Sequence, residues 1–312
     1  MRVAKKIERM SRIFLEESCA KQQFGIYETS DEAFFVKRSY FLNIDTSLSP
    51  NKCGAVHCSK PGANVEITEC CFDRCAAYSM GASFYLKTDR GVVQKSNSFG
   101  CWTITDIDAE SGIGGRLENN ENNLTQSTIS NCSPHERYSG RSSFAIYYGL
   151  SEVFDSNLTN SRTTTNGVTL HGCNAGSGIA FLNVLNQKGQ NAAGFETTHN
   201  SYLSKSNFVN NSKITLTVFR CTDSNNVEIS DCIFFQNSKA DVSVSATTVL
   251  RRCITDKYIW NCEKTFNCSV GVESNTLHIV RKYGCYINIH ASNNLKHSIE
   301  GFRISLFVAV FV

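Results

Sequence analysis

Short apolar clusters recur along the chain, each followed at fixed offsets by a small polar residue or a cysteine. Val65-Glu-Ile67-Thr-Glu-Cys70-Cys-Phe72-Asp-Arg-Cys75 and Val227-Glu-Ile229-Ser-Asp-Cys232-Ile-Phe234-Phe-Gln-Asn237 share one template. From an apolar start (Ile67, Ile229) it places Cys or Ser three residues on, an apolar residue at five and a small polar residue or Cys at eight. Further copies start at Leu124 (Ser127, Ile129, Cys132), Val153 (Ser156, Leu158, Ser161) and Leu203 (Ser206, Phe208, Asn211). A degenerate copy at Leu250 keeps Cys253 and has Thr255 at the fifth offset. The starts are separated by 57, 29, 50, 26 and 21 residues; with 57 and 50 taken as two units each, every step is about 21–29 residues. Similarity at such a period predicts a solenoid.

The segments lack the ten or more residues of 3.6-residue periodicity that a helical repeat needs. They are short, rich in Val, Ile, Phe and Thr, and bounded by Asn, Gly and Ser, which predicts strands. Positions zero and three lie on opposite faces of a straight strand, yet both tend to be apolar or small. A one-residue bend near offsets one and two is therefore expected. Strand, corner, strand is one rung of a parallel β-helix. Rungs stack about 4.8 Å apart, so Asn and Ser at a corner can serve the backbone of neighbouring rungs while apolar residues stack inside. About ten rungs and an axis of about 45–50 Å follow. A β-sandwich would need tight hairpins, and Asn-Gly occurs at Asn166-Gly167.

The expected architecture is all-β: a right-handed parallel β-helix over residues 46–290, a partly helical N-terminal cap over 1–45 and an apolar C-terminal strand or tail over 291–312. The cap is read from Val3, Ile7, Met10 and Phe14 on one helical face, with Lys5, Lys6, Arg9 and Arg12 largely on others. An exposed end of a stacked domain needs such cover. The N-terminal stretch has no apolar core of signal-peptide type. For Ile304-Ser-Leu-Phe-Val-Ala-Val-Phe-Val312 three readings stay open: a final strand over the last rung, the opening of a membrane anchor, or a frayed tail. The strand is taken as the expectation from its Val and Phe content. Nine residues are too short to cross a bilayer as a helix.

Composition narrows the functional classes. The 312 residues carry 31 Lys plus Arg and 28 Asp plus Glu, a net charge of +3, which argues against a partner held by bulk charge. Charged residues are 19% of the chain, whereas Ser, Thr and Asn together make up about 28%, a composition suited to stacked turns. The fifteen cysteines contain no Cys-x-x-Cys pair, and their odd number leaves at least one thiol free or paired between chains. His57 with Cys53 and Cys58 makes half a zinc site with no second half, so no metal is expected. The other cysteines read as small buried residues.

The run Glu69-Cys-Cys-Phe-Asp-Arg-Cys75 followed by Gly81-Ala-Ser-Phe-Tyr-Leu86 resembles a rung of the polymorphic-outer-membrane-type repeats. Ser206-Asn-Phe-Val-Asn-Asn-Ser212 and Asp231-Cys-Ile-Phe-Phe-Gln-Asn237 resemble the Cys/Ser-x-Phe-x-x-Asn rung of trichomonad right-handed β-helix proteins, which share the pectin-lyase-like fold. The resemblance covers roughly residues 50–290, with Gly81-Ala82 and Phe84 departing from the bacterial pattern. It implies a surface or extracellular protein. It also brings in the polysaccharide lyases and hydrolases of this fold, so catalysis has to be tested.

Asp106 and Asp108 alternate in Thr105-Asp-Ile-Asp108 and would lie about 6.5–7 Å apart on one strand face, a spacing open to acid/base work or Ca²⁺. They are weak catalytic candidates, since two carboxylates on an exposed strand also make an ordinary solvated face. Polygalacturonase motifs are missing; His171-Gly172 lacks a leading glycine. Gly112-Ile-Gly-Gly115 lacks the Lys-Ser/Thr of a P-loop and reads as a bulge, and His171 with Cys173 reads as a buried thiol beside a histidine. Isolated basic pairs such as Arg251-Arg252 predict no nucleic-acid binding. Asn123, Asn131, Asn157, Asn210 and Asn267 are N-glycosylation sequons. The resulting expectation is a non-catalytic binding or structural protein without cofactor. A carbohydrate or protein ligand would lie along the solenoid face; attachment to a membrane stays open, with no complete transmembrane helix. A polysaccharide lyase or glycoside hydrolase is the alternative.

Overall fold

The computed structural model describes residues 12–16, 19–20, 24–26, 32–48, 53–104, 112–133, 142–163, 166–188, 192–197, 201–212, 217–221, 227–237, 240–244, 248–256, 260–261, 264–266 and 268–270. Every regular element among them is a β-strand. They form a twenty-stranded sheet, a ten-stranded sheet and a small sheet of three strands, all paired in parallel. This is an all-β architecture of long parallel sheets, compatible with a β-solenoid.

Register gives the stacking its detail. Leu15, Val36, Ile67, Val93, Leu124, Val153, Ile179, Leu203, Ile229, Leu250 and Thr265 are successive partners in one column of the long sheet. Val93 divides the 57-residue gap of the repeat into steps of 26 and 31, and Ile179 divides the 50-residue gap into 26 and 24. Ile67 and Ile229 thus share a column and are both fully buried.

The bend follows from one left-handed residue per rung. Arg38, Glu69, Lys95, Gln126, Asp155, Phe181, Lys205, Asp231 and Arg252, each two residues past the column start, have φ between 46° and 57°. A single such residue turns the chain and resets the alternation, so offsets zero, three and five all face inward. A second left-handed column follows at offset seven: Asn43, Arg74, Gly100, Asn131, Asn160, Asn186, Asn210 and Gln236.

Apolar rings fill the inside. Phe41 stacks on Phe72 with centroids 5.0 Å apart and planes 8° apart, and Phe208 on Phe234 at 5.1 Å and 10°. Thr255, at the degenerate fifth offset, is fully buried in the same column. Corner side chains supply ladders. The Cys70, Ser96 and Leu182 amides donate to the hydroxyls of Ser96, Ser127 and Ser206 at 3.1 Å. Deeper in, the Gln187 and Asn211 amides donate to the carboxamide oxygens of Asn211 and Asn237 at 3.0 Å.

Two expectations change. The helical cap is not found among the described residues: Arg12–Glu16 is a strand paired with Ala33–Lys37. The reason is legible afterwards, because Leu15, Ser18 and Ala20 fit offsets zero, three and five, and the edge of Ala33–Lys37 offers a ready template. Val3, Ile7 and Met10 lie outside the described residues. The bulge at the glycine cluster is present, but inside the strand Gly112–Leu117, where the register shifts between Gly112 and Gly115. A Cβ on Gly115 would strike the Phe84 ring. The C-terminal segment 304–312 is outside the described residues.

Candidate functional site

Two side-chain groupings on the outer surfaces stand apart from the repeat. The first lies on the ten-stranded sheet, where His57, Tyr85 and Arg116 are register partners on successive strands. Glu118, two residues past Arg116, pairs with the Arg116 guanidinium, accepts from the Tyr85 hydroxyl at 3.3 Å and meets Lys87 Nζ at 3.3 Å. The guanidinium lies 4.5 Å from the Tyr147 ring centroid and 5.7 Å from that of Tyr85. His57 packs edge-on against Tyr85 at 5.2 Å and accepts at Nδ1 from the Cys53 amide at 3.3 Å. Burial holds His57 down to about 4, so its imidazole is neutral at pH 7. Burial, with the Glu118 carboxylate next, pushes the Tyr85 phenol above its ordinary range. Charges here answer one another within the group, and His57, Tyr85, Arg116, Glu118 and Tyr147 are all buried. The arrangement is a charged and aromatic brace. Sequence reading missed it because Tyr85 and Arg116 are 31 residues apart; the paired spacings Tyr85-x-Lys87 and Arg116-x-Glu118 were the available signal.

The second grouping is solvent-facing. Leu150, Glu152 and Phe154 alternate outward along the strand Leu150–Thr159, and Tyr148 sits at the corner before it. The next rung presents only small residues there: Gly178 is the partner of Glu152, Ala180 of Phe154, and Gly176 lies against Leu150. One rung further, Tyr202 is the partner of Gly178 and its ring covers the space a Cβ would need. The outcome is a shallow apolar trough in which the Tyr202 ring lies over Gly178, with Gly176 and Ala180 on either side along the strand and Leu150 and Phe154 on the preceding rung. Tyr148, Phe154, Tyr202 and Leu150 are 53%, 45%, 44% and 42% exposed, well above the buried aromatics of the core. Phe154 meets Phe181 edge to face at 5.3 Å, and Lys205 Nζ lies 5.2 Å from the Phe181 centroid.

Backbone conformation marks the same place. Tyr148 (φ 66°) and Phe181 (φ 53°) are the aromatic members of an otherwise polar or charged set of non-glycine left-handed residues among those described. Bulky side chains rarely take this conformation, and it persists where the surroundings hold it in place. From Tyr148 to Phe154 the strand runs about 20 Å, so the trough suits an extended chain.

Residues singled out in the sequence fall variously. Asp106, Asp108 and Asn267 are outside the described residues. Asn131 occupies a left-handed corner, half-exposed, and Asn123 is half-buried on the outer face. Asn157 is buried and accepts at Oδ1 from Asn183 Nδ2 at 2.9 Å. Asn210 is exposed but donates from Nδ2 to Asn186 at 2.7 Å, and Asn186 in turn donates to Asn160 at 3.0 Å. His57 and Cys58 alternate on the strand: Cys58 joins the core, where burial pushes its thiol up to about 12, while His57 joins the brace. His171 is exposed, 5.5 Å from Tyr147, while Cys173 is buried and pushed up to about 11. Among the described residues no group of His, Cys, Asp or Glu is placed to hold a metal ion, and no helix is long and apolar enough to cross a membrane.

Comparison of the chain with protein families, with curated proteins and with solved structures finds no match.

Proposed function

We propose that the chain is a non-catalytic carbohydrate-binding protein, built as a right-handed parallel β-helix of the pectin-lyase-like type and working at a cell surface or outside the cell. The observation that carries the reading is the placement of Tyr148 and Phe181 in left-handed corners beside an exposed trough. Strained display of large rings serves no purpose in a core, and flat rings over a glycine floor suit the apolar faces of a sugar chain. Glu152 and Lys205 flank the rings with an acceptor and a donor for hydroxyl groups. Right-handed coiling is supported by the strong preference of parallel strand crossovers for that hand. The extracellular placement rests on the family resemblance and fits the disulfide-bonded state of Cys71.

The test is binding of the purified chain to soluble neutral and acidic oligosaccharides, followed by calorimetry. Tyr202→Ala and Phe181→Asn are expected to weaken binding about tenfold or more each, as loss of an aromatic anchor does. Undiminished binding in both variants would remove the trough from the mechanism. Release of reducing ends or unsaturated sugars from the same substrates would replace this reading by a polysaccharide-cleaving enzyme.

A further inference from the structure

Five buried cysteines occupy neighbouring positions in the corner columns. Cys75, Cys101 and Cys132 stand in three successive rungs, since Ala76 pairs with Trp102 and Phe99 with Ser130. Cys232 and Cys253 stand in two, next to the paired Ile233 and Ile254. Elsewhere Ser161, Gln187, Asn211 and Asn237 continue the first column, and Cys70, Ser96, Ser127, Leu182 and Ser206 belong to the second.

The thiols share one orientation. Cys101 Sγ lies 3.7 Å from the Phe72 carbonyl of the adjoining rung and 3.5 Å from that of Phe99; Cys75 has the same arrangement with Phe41 and Asp73, both at 3.7 Å. Cys232 (Leu203, 3.8 Å; Ser230, 3.3 Å) and Cys253 (Ile229, 3.6 Å; Arg251, 3.5 Å) repeat it. Sulfurs so oriented sit one above the next, Cys101 beside Cys75 and Cys132, and Cys253 beside Cys232. Parallel register puts their Cα atoms about 4.8 Å apart, inside the span of about 4.4–6.8 Å that a disulfide bridges.

We propose that these columns are cross-rung disulfide sites: Cys101 bonds to Cys75 or to Cys132, and Cys232 bonds to Cys253, when the chain meets a disulfide oxidant of the glutathione or thiol-oxidoreductase class. In each step a cysteine thiolate attacks the oxidant's S–S bond, giving a mixed disulfide and one released thiol. The neighbouring thiolate then attacks the cysteine sulfur and expels the second. Two S–H bonds are lost, one S–S bond forms, two protons leave and the oxidant takes up two electrons. Exchange takes place while the coil is forming or locally open, because the closed corners bury the sulfurs. Cys101 has a thiol on either side and can bond only one, so the triad carries one bridge and one thiol. Attack by the remaining thiolate on Cys101 moves the bridge by a rung without net oxidation.

The experiment refolds the full chain with oxidised or reduced glutathione, unfolds and alkylates it, and maps peptides by mass spectrometry. Oxidised samples are expected to show Cys75–Cys101 and Cys101–Cys132 links as mutually exclusive species, together with Cys232–Cys253, and a higher thermal midpoint that reductant reverses. Cys101→Ser should abolish the first two links and leave the third; serine already fills this column at Ser161, so the substitution suits the corner. Five alkylated thiols in oxidised, folded protein, or links from these cysteines to other partners, would overturn the proposal.

Discussion

The flanking rungs and the middle rungs use the same coil and the same left-handed corners, yet they finish their outer surfaces differently. In the flanks, charged residues reach across rungs: Arg38 to Glu69 at 3.3 Å, Lys95 to Glu69 at 3.9 Å, Arg251 to Glu228 at 3.1 Å and Arg252 to Asp231 at 2.6 Å. In the middle, carboxamides do so. Asn183 links Asn157 and Asn207, Asn186 links Asn160 and Asn210, and exposed rings cover the adjoining face. Exposed ion pairs contribute little to stability and keep a surface hydrated. Amide ladders hold the same geometry with neutral groups, beside the exposed rings. Corner chemistry therefore separates the ion-paired flanks from the carboxamide-linked middle.

Acid should separate the regions most clearly. His57 titrates near 6.5 in the unfolded chain and at about 4 in the fold. Its folded value is depressed, so the unfolded chain binds the extra proton first; stability is full above about pH 6.5 and falls as pH drops toward 4. The expected loss is about 2–3 kcal/mol by pH 4. Denaturant unfolding from pH 7.5 to 4.5 measures it, and hydrogen exchange should show the strand Val56–Ser59 opening before Ser201–Ser204. Equal sensitivity in both strands would undo the contrast.

A smaller effect is expected at the inner ladder. Asn211→Ala removes the acceptor of the Gln187 amide and the donor to the Val184 carbonyl at 3.1 Å, both buried, and should cost about 1–3 kcal/mol in urea unfolding. Arg252→Ala, which removes the exposed partner of a flank ion pair, should leave the midpoint nearly unchanged. One effect has the opposite sign. Phe181→Asn puts a residue tolerant of left-handed geometry at φ 53° and should stabilise the chain by about 1 kcal/mol while weakening sugar binding. Lower stability with intact binding would make Phe181 a packing residue.

The inward columns were readable because burial confines them to few residue types. Five members of the column escaped, Leu15, Val36, Val93, Ile179 and Thr265; at Val93 the fifth offset is Ser98, and at Ile179 the third offset is Leu182. The first left-handed column left no mark in residue type, since Arg, Glu, Lys, Gln and Asp all occupy it, whereas the second is Asn or Gly at six of its eight corners. Nor could the trough be seen. Phe154, Phe181 and Tyr202 are each more than twenty residues apart, and only stacking register brings them together. The N-terminal stretch misled because Val3, Ile7, Met10 and Phe14 keep the spacing of one helical face, while the run Ile13-Phe14-Leu15 also suits a strand.

Rung length varies away from the two left-handed corners, at the ends of the strands of the ten-stranded sheet. Between the inward residue at offset eight and the next strand of the ten-stranded sheet, the chain runs from Cys101 to Gly112 in one rung and from Asn237 to Ala240 in another, while both corners stay in register. The stack behaves as a one-dimensional lattice whose unit cell is defined by its corners and is indifferent to the matter hung from its third side. Insertions there leave the lattice spacing untouched, and excision of a whole unit shortens the axis by one step of about 4.8 Å while returning every surviving column to a neighbour of its own kind.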